Sequence, residues 1–477
     1  MDKTKKKYEL RKTRKTKQNS HKSHKSHNSH HSHHSHHFHH KLNDRKNDIF
    51  KFQYTPKLKG GRFIDKGGFG CVIKPALPCT SSDLNLNLDN SVSKIIKHQS
   101  DTLTKELKIS NILKKIDPGH NFYVTIDKYC FINEIPEYRT DITNVKYKND
   151  DLSDYSLNET HLIDKNGRKK KIDKNFCDVD LSLKPVNLIM PYAGISLSSI
   201  MKVNRKVIKD DKGTKGYNHN EYIRAQMHQM FVDNLKIYFK HLIIGLLKMH
   251  NNRIINKDIK QRNIMLYLQN ENVKENVKDM KDKNINSSNS IMSIRYIDFG
   301  LSEFLTNEFC KDITNIGLKG TPFYLSPELF VCVFIIKYKD RTESYQLKKI
   351  NEYIKKNVIK ALNAINEKSI IEKMDSDSNP NSIVETLYKK NKYLYEKGRL
   401  LESYFGSETN KYNGYLQKAD VYALGLSIYE TLYKYSEINV KGNEKLYDLL
   451  LHMIDMNPDK RYNIVQCLGH PYFSGKH

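Results

Sequence analysis

The segment IINKDIKQRNIML, residues 254–266, places an Asp, a Lys and an Asn between aliphatic residues. Lys260 follows Asp258 by two positions, and Asn263 follows it by five. A carboxylate can accept a hydroxyl proton, a lysine can neutralise a transferring phosphate, and an amide oxygen can bind a metal ion. These three residues are therefore candidates for phosphate-transfer chemistry.

A second carboxylate stands at the end of a strand-like run. Asp298 follows SIRYI and precedes Phe and Gly in SIRYIDFGLSE, and a carboxylate in that place can bind a phosphate-bridging Mg²⁺. Asn263 comes directly before another aliphatic run. We expect Asn263 and Asp298 to lie at the ends of neighbouring strands and to hold one magnesium ion, which takes its other ligands from water and substrate oxygens.

Glycines cluster in GGRFIDKGGFGCVIKP, residues 60–75, between two strand-like runs. Because glycine has no Cβ, the backbone at the tip of such a hairpin can approach an anion closely. On its own the pattern is weak evidence, since a Gly-rich hairpin is more often only a turn.

Lys94 lies in SVSKIIKHQ, among residues typical of a strand, and Glu106 lies in the helix-like segment TLTKELKISNILKKI. A lysine on a buried strand is costly unless it meets an anion. If Lys94 pairs with Glu106, its ammonium would be fixed in place and could bind the α- and β-phosphates of a nucleotide. Two unrelated surface charges would be the default interpretation if the pair stood alone.

Two further motifs complete the order: GTPFYLSPEL at 320–329 and QKADVYALGLSIYETL at 417–432. With the glycine cluster, the Lys/Glu pair, DxKxxN and IDFG, they make the chain resemble the eukaryotic-type serine/threonine protein kinases over about residues 58–474. The chain also resembles the kinases of giant DNA viruses of the mimivirus type, in its Asn/Lys-rich inserts and in the segments KELKIS and LIMPYAG.

The resemblance implies an α+β, bilobal protein kinase fold, with a small β-rich N-lobe over about 58–192 and a large helical C-lobe over about 193–474. Inserts interrupt it near 134–180, 269–290 and 337–417. The last insert has apolar residues at steps of three and four, which predicts a docked amphipathic helix. These residues are Leu347, Ile350, Ile354, Val358, Ala361 and Ile365.

By resemblance, ATP is held by a glycine-rich loop, by the strand lysine with its helix partner, and by a hinge. The residues are Ile64, Asp65, Lys66, Gly67, Gly68, Phe69, Gly70, Cys71, Val72, Lys94, Glu106, Met190, Pro191 and Ala193. Asp65 replaces the first glycine of the family pattern, so we expect weaker ATP binding, not its loss. Lys97 is the alternative to Lys94, and the polar Ser110 departs from the family's helix.

The resemblance also implies the catalytic roles. Asp258 corresponds to the base that orients a substrate hydroxyl, Lys260 to the γ-phosphate contact, and Asn263 with Asp298 to the ligands of Mg²⁺. The reaction would transfer the γ-phosphate of Mg-ATP to a protein Ser/Thr hydroxyl. Lys260 and Thr321 resemble the serine/threonine branch of the family and not the tyrosine branch.

Three other residues resemble structural positions of the family. Glu328 is similar to a glutamate that pairs with an arginine near the C-terminus, and Arg461 is similar to that arginine. Asp420 resembles a buried aspartate that braces the backbone of the catalytic loop. Their presence implies a whole C-terminal lobe.

Asn256 and Lys257 stand where the family carries His and Arg. Asn256 can keep a hydrogen bond, while Lys257 cannot reproduce the bidentate fork with which Arg gathers an activation-loop phosphate. We therefore predict that activity depends little on phosphorylation of that loop, with the 337–417 insert as the alternative brace.

Other functions stay open. A pseudokinase or scaffold with weak ATP binding would have the same fold, although such proteins usually lack one of the residues matched here by Asp258, Lys94 and Asp298. A nucleic-acid-binding protein could act through the basic N-terminus. A small-molecule or lipid kinase is disfavoured by SPEL together with Arg461.

Charge favours anionic partners. The 477 residues carry 81 Lys+Arg against 54 Asp+Glu, a formal charge of +27. Residues 1–49 form a basic, His-rich tail that we predict to be disordered, with weak nucleic-acid contact or metal binding as alternatives to a plain solvated tail.

Seven scattered cysteines without a CxxC pair predict neither a disulfide framework nor a zinc site, and therefore a reducing compartment. No apolar segment follows the basic N-terminus, and the longest apolar run, LFVCVFII at 329–336, is too short for a bilayer. We expect a soluble, intracellular, cytoplasmic protein, in the host cytoplasm or the virion if it is viral. The sequence predicts no oligomeric state.

Overall fold

The computed structural model describes residues 62–67, 70–79, 87–96, 100–131, 155–158, 161–164, 169–171, 185–202, 219–269, 291–306, 320–374, 382–406, 411–435 and 438–474. All of them belong to one compact unit, Lys57–His477. The predicted tail, residues 1–49, lies outside the described residues. So do residues 270–290 of the second predicted insert, and all but three short strands of the first.

Strands and one helix make up the first part of the described chain. In chain order they are β1 (Arg62–Gly67), β2 (Gly70–Lys74), β3 (Ser91–Ile96), α1 (Ser100–Ile116), β4 (Lys128–Phe131), β5 (Tyr155–Asn158), β6 (His161–Asp164), β7 (Lys169–Lys171) and β8 (Val186–Pro191). Five of the strands pair antiparallel in the order β1-β2-β3-β8-β4. The strands β5, β6 and β7 form a separate antiparallel sheet.

Helix α1 packs on this sheet through a small apolar cluster. Leu103 of α1 meets Ile96 of β3 and Val186 and Leu188 of β8, all of them buried. Further along the helix, Ser110 is buried and its hydroxyl accepts a 2.7 Å hydrogen bond from the backbone N–H of Ile126. This contact explains a polar residue where the family pattern has an aliphatic one, because the hydroxyl fixes the segment that leads into β4.

The second part of the chain is mostly helical. Its first elements are β9 (Ile195–Ser196), α2 (Leu197–Met201), α3 (His219–Asp233), α4 (Leu235–Asn251), β10 (Ile254–Ile255), β11 (Ile264–Gln269), β12 (Ile291–Tyr296), β13 (Glu303–Phe304) and α5 (Pro327–Lys337). Strands β12, β11 and β9 form one antiparallel sheet, and β10 pairs with β13. Helix α4 buries Phe239, Leu242 and Leu246 in the largest apolar core, which positions the short strand β10 at its end.

The remaining elements are α6 (Glu343–Ile354), a π-helical turn (Lys355–Ile359), α7 (Lys360–Ala364), α8 (Lys368–Met374), α9 (Ile383–Glu396), α10 (Leu400–Phe405), α11 (Tyr415–Tyr435), α12 (Glu444–Met453) and α13 (Ile464–Leu468). The predicted amphipathic stripe of the 337–417 insert is confirmed. Ile350, Ile354, Val358, Ala361 and Ile365 are buried in the core, and Leu347 packs against it. With small antiparallel sheets and many helices, the chain has the predicted α+β character.

Polar contacts fasten the insert to α5. Within the insert, the Tyr388 hydroxyl donates to Oε1 of Gln346 at 2.7 Å, and Nε2 of Gln346 donates to the carbonyl oxygen of Tyr338, the residue that follows α5, at 2.6 Å. The hydroxyl of Tyr404 lies 2.7 Å from the carbonyl oxygen of Glu328. The insert therefore packs against α5 and shares its apolar core.

Cys79 and Cys130 are joined by a disulfide, with their Cα atoms 5.7 Å apart, so the prediction of no disulfide was wrong. Asn187 of β8 is the register partner of Cys130, and its Nδ2 donates to the carbonyl oxygen of Leu77 at 2.9 Å. The sheet thus brings together two cysteines that are 51 positions apart. The cysteine argument for a reducing compartment no longer holds.

The apolar run 329–336 lies within α5 and packs into the core. Among the described helices none is both long enough and apolar enough to cross a membrane.

Candidate active site

Asp258 lies in the loop between β10 and β11, where the chain turns through a short 3₁₀ helix, Gln261–Asn263. Its Oδ1 accepts hydrogen bonds from the N–H and the hydroxyl of Thr321, at 3.1 and 2.9 Å. Its Oδ2 accepts from Nζ of Lys260 at 2.8 Å and from Nδ2 of Asn263 at 3.0 Å. The four donors orient a carboxylate whose residue is only 7% exposed.

A buried aspartate braces this loop. Asp420 of α11 accepts the backbone N–H of Asn256 at 2.7 Å and that of Lys257 at 2.9 Å. Lys257 has a φ of +67°, which is uncommon for a residue with a long side chain. Backbone strain of this kind persists only where the surroundings impose it, and it is concentrated at functional sites.

Asn256, at the position where the resembled kinases carry a histidine, makes a local hydrogen bond with its side-chain amide. Its Oδ1 accepts the N–H of Asp258 at 3.0 Å, and its carbonyl oxygen accepts the Ser302 hydroxyl at 3.2 Å. The prediction that Asn256 keeps a hydrogen bond is confirmed. The side chain thereby fixes the backbone at Asp258 directly.

Lys94 joins two carboxylates from distant parts of the chain. Its Nζ lies 3.0 Å from Oε1 of Glu106 on α1 and 2.8 Å from Oδ1 of Asp298, which follows β12. The Lys94–Glu106 pair that the sequence predicted is thus formed. The alternative lysine, Lys97, lies outside the described residues.

Charge sets the pKa values in this cluster. Burial alone would lower the pKa of Lys94, but the carboxylates of Asp298 and Glu106 outweigh it and raise the pKa above its ordinary value. The Lys94 ammonium in turn holds the pKa of Asp298 below its ordinary value, although burial opposes it. Both groups are therefore charged at neutral pH.

Asn263 and Asp298 lie at the same end of two neighbouring strands, as expected from the sequence. Ile264 opens β11 and pairs with Tyr296, the last residue of β12. The N–H of Ile297 donates to the carbonyl oxygen of Asn263 at 3.0 Å. Asp298 has a φ of +63°, a conformation that an aspartate tolerates better than most residues.

The donor set suits a magnesium ion bound together with phosphate. Both hydrogen bonds donated by Nδ2 of Asn263 go to Asp258, so its amide oxygen is the atom that could bind a metal ion. Among the described residues, no group of three or more His, Cys, Asp or Glu side chains could hold a metal ion. An ion here would need further oxygens from water and phosphates, which is typical of Mg²⁺.

The charges also fit a nucleotide that arrives with a cation. Two lysines, Lys94 and Lys260, meet three carboxylates, those of Glu106, Asp258 and Asp298, so these five side chains sum to −1. Such a cluster would repel a bare polyphosphate and attract a divalent cation.

The glycine-rich hairpin is formed by β1 and β2. Val72 is the register partner of Lys94, and Cys71 is buried. A Cβ on Gly70 would lie 1.8 Å from the carbonyl oxygen of Ile95, so close packing on β3 already requires glycine there. Gly68, Phe69 and the side chains of Asp65 and Lys66 lie outside the described residues, so their predicted nucleotide contacts stay predictions.

The predicted hinge follows directly from β8. Met190 is the register partner of Val92 in β3, and Pro191 is the last residue of the strand. The N–H of Tyr192 donates to the carbonyl oxygen of Asn90 at 2.8 Å, and Ala193 is buried. The hinge segment thus begins at the strand next to the one that carries Lys94.

Glu328 and Arg461 form a fully buried ion pair. Nη1 and Nη2 of Arg461 lie 2.7 and 2.9 Å from the two carboxylate oxygens of Glu328, and both side chains are 0% exposed. The resemblance implied this pair. It links the start of α5 to the segment between α12 and α13.

Sequence reasoning missed an ion pair next to Glu106 in the chain, in which Nζ of Lys105 lies 2.5 Å from Oε1 of Glu303. The only signal in the sequence was that Lys105 immediately precedes Glu106.

Comparison with known proteins gives short matches to kinases, and no family model matches the chain. A stretch of 114 residues is 25% identical to "Mitogen-activated protein kinase kinase kinase 5" of Arabidopsis thaliana, covering 24% of this chain and 12% of that protein. A stretch of 98 residues is 33% identical to "Probable serine/threonine-protein kinase fhkE" of Dictyostelium discoideum, covering 20% of this chain and 11% of that protein. The chain thus spans about a tenth of the length of these relatives. The matches indicate a kinase-like relationship and do not bear on a viral origin.

Proposed function

We propose that this chain is an ATP-dependent serine/threonine protein kinase, with a bilobal kinase fold, that transfers the γ-phosphate of Mg-ATP to a protein Ser/Thr hydroxyl. The observation that carries the proposal is the bridge from Lys94 to both Glu106 and Asp298. Three separate segments meet there with opposite charges. The short matches to serine/threonine kinases support the same reaction class.

In this proposal the nucleotide lies between the β1–β2 hairpin and the hinge. Lys94 contacts the α- and β-phosphates, and Glu106 keeps the ammonium in place. Asn263 and Asp298 would hold Mg²⁺, which would supply charge neutralisation for the phosphates. Met190, Pro191 and Ala193 line the adenine side.

Asp258 acts on the substrate hydroxyl. The hydroxyl oxygen bonds to the γ-phosphorus while the bond to the β–γ bridging oxygen breaks, ADP leaves, and the hydroxyl proton passes to Asp258. Lys260 lies within 2.9 Å of both Asp258 and the Thr321 hydroxyl, so its ammonium is held where it can neutralise the transferring group. Positioning and charge supply most of the rate in such a reaction.

A pseudokinase or scaffold with weak ATP binding is the alternative. It would keep the fold and the ion pairs while losing turnover. The complete hydrogen-bond set around Asp258 argues for the active enzyme, since a scaffold has no need to orient that carboxylate.

The test is transfer of labelled γ-phosphate to a generic basic protein with Mg²⁺. The variants are Lys94→Met and Asp298→Asn, and Asp340→Asn is the control because Asp340 is exposed. We expect phosphoserine and phosphothreonine with wild type and control, and a loss of roughly a hundredfold or more in both variants. Nucleotide binding without transfer in the wild type would instead establish the pseudokinase.

A further inference from the structure

Helix α1 carries a second charged side chain, next to Glu106 in the sequence, that pairs with a distant carboxylate. Nζ of Lys105 lies 2.5 Å from Oε1 of Glu303, and only 9% of the Glu303 side chain is exposed. Lys105 itself is partly buried, with 26% of its side chain exposed. The two residues are 198 positions apart, so their contact is a product of the fold.

Backbone pairing fixes Glu303 to the catalytic loop. Glu303 opens β13 and pairs with Ile255 of β10, two positions before Lys257. The N–H of Leu305, beyond the strand, donates to the carbonyl oxygen of Arg253 at 2.7 Å. The carboxylate of Glu303 therefore moves with the loop that carries Asp258.

Lys105 is equally fixed to the nucleotide side of the site, because it immediately precedes Glu106. Glu106 lies against Lys94 on one side and against Gly300 on the other, where an added Cβ would come within 3.3 Å of its carboxylate. A small rotation of α1 would withdraw Glu106 from Lys94. A contact at the adjacent residue resists that rotation.

We propose that the Lys105–Glu303 ion pair is a positioning pair, which holds α1 against the catalytic loop and so keeps Glu106 on Lys94. The inference rests on the proposed kinase function and extends it to how the active arrangement is maintained. The pair is contained within the chain, so this link requires no added phosphate group.

An exposed ion pair would be a poor candidate for this role, because such pairs contribute little. Here the carboxylate is almost inaccessible, so removal of its partner leaves an uncompensated buried charge. Reversal of one charge should disrupt the contact, and reversal of both should restore it.

The test uses Lys105→Glu, Glu303→Lys, the double swap, and Lys105→Arg, which keeps a cation. For each we measure kcat and KM for ATP, together with hydrogen exchange of the α1 and β13 amides in the full chain. We expect each single reversal to lower kcat roughly tenfold and to speed exchange in α1, since neighbouring charges couple at about this strength. The swap and Lys105→Arg should recover most of both losses.

Lys108→Glu is the matched control, because Lys108 lies one turn along α1 and is exposed. It should leave kcat and exchange near the wild-type values. Neutral variants, Lys105→Met and Glu303→Gln, repeat the test should a reversal prevent folding.

Unchanged kcat in the single variants, or no recovery in the swap, would overturn the positioning role. Equal losses in Lys108→Glu would do the same. If the wild type transfers no phosphate, the proposed function fails separately. The exchange measurement then still decides whether the pair holds α1 in place, and unchanged exchange in all variants would reject it.

Discussion

At the scale of single residues, Asp258 collects more hydrogen bonds than an exposed carboxylate would. Thr321, Lys260 and Asn263 all donate to it, and Asn256 accepts its backbone N–H. Each of these hydrogen bonds restricts the rotation of the Asp258 side chain, so the orientation of the carboxylate is set before a substrate arrives. Such preorganisation is what a base for hydroxyl activation requires.

Lys94 leads to a prediction about pH. The folded-state pKa of Asp298 is lowered from 3.8, so its pairing with Lys94 adds stability above that pH and loses it as pH falls through the lower folded value. The folded-state pKa of Lys94 is raised from 10.5, so its contribution is complete below pH 10.5 and is lost only at higher pH.

We therefore expect Lys94→Met to reduce the free energy of unfolding by a constant amount between about pH 5 and pH 9. The difference from wild type should shrink as pH falls below about 4, where the Asp298 carboxylate takes up a proton. Urea unfolding across this pH range measures it. A difference that already shrinks between pH 8 and pH 6 would contradict the assigned charges.

At the scale of elements, the loop between β10 and β11 is braced by contacts within the chain. Asp420 holds its backbone, and a Cβ on Gly320 would lie 2.4 Å from the carbonyl oxygen of Lys257, so the segment before Thr321 packs tightly against it. Lysine at 257 lacks the planar fork with which arginine binds phosphate.

This arrangement predicts that activity survives dephosphorylation. Protein treated with a phosphatase, then freed of it, should retain phosphate transfer within about twofold of the untreated enzyme, because a lysine at 257 gains little from an added phosphate. Mass spectrometry of the treated chain provides the control for complete phosphate removal. Loss of turnover after treatment would refute the prediction.

The insert makes a second prediction at this scale. The hydroxyl of Tyr404 lies 2.7 Å from the Glu328 carbonyl oxygen and 2.9 Å from Oδ1 of Asn391, and the residue is fully buried. Tyr404→Phe should lower the free energy of unfolding by about 1 kcal/mol, since it removes a buried hydrogen bond.

Tyr393→Phe is the matched control, because Tyr393 is 58% exposed. Its effect should stay within about 0.5 kcal/mol. Denaturant unfolding of both variants decides the matter, and equal effects would mean that the insert is not fastened through Tyr404.

At the scale of the whole molecule, the features that could be predicted are those that appear as a short pattern in the amino-acid sequence. The apolar stripe of α6 and α7 follows the helical period, and the candidate site residues lie in short motifs. The Cys79–Cys130 disulfide and the Lys105–Glu303 pair leave no such pattern, because each depends on which distant segments the sheet and α1 bring together. Hence the residue types of the site and the contacts that lie within known motifs were predictable, while the disulfide and the Lys105–Glu303 pair were not.

The charge of +27 belongs to this scale too. It favours acidic partners in general, but the candidate site itself carries a local excess of one carboxylate among its five paired side chains. The formal charge of the whole chain and that of these five side chains thus differ in sign. A nucleotide attracted by the positive charge of the whole chain would need a divalent cation in order to bind at the negatively charged site.

The most direct test of the central claim is the single-turnover rate of γ-phosphate transfer at saturating Mg-ATP for wild type and Asp258→Asn. We predict a decrease of roughly 10²–10⁴-fold in the variant, the usual contribution of a general base, with nucleotide affinity unchanged. Equal rates in the two proteins, or no transfer by either while ATP still binds, would contradict the assignment of this chain as a working kinase.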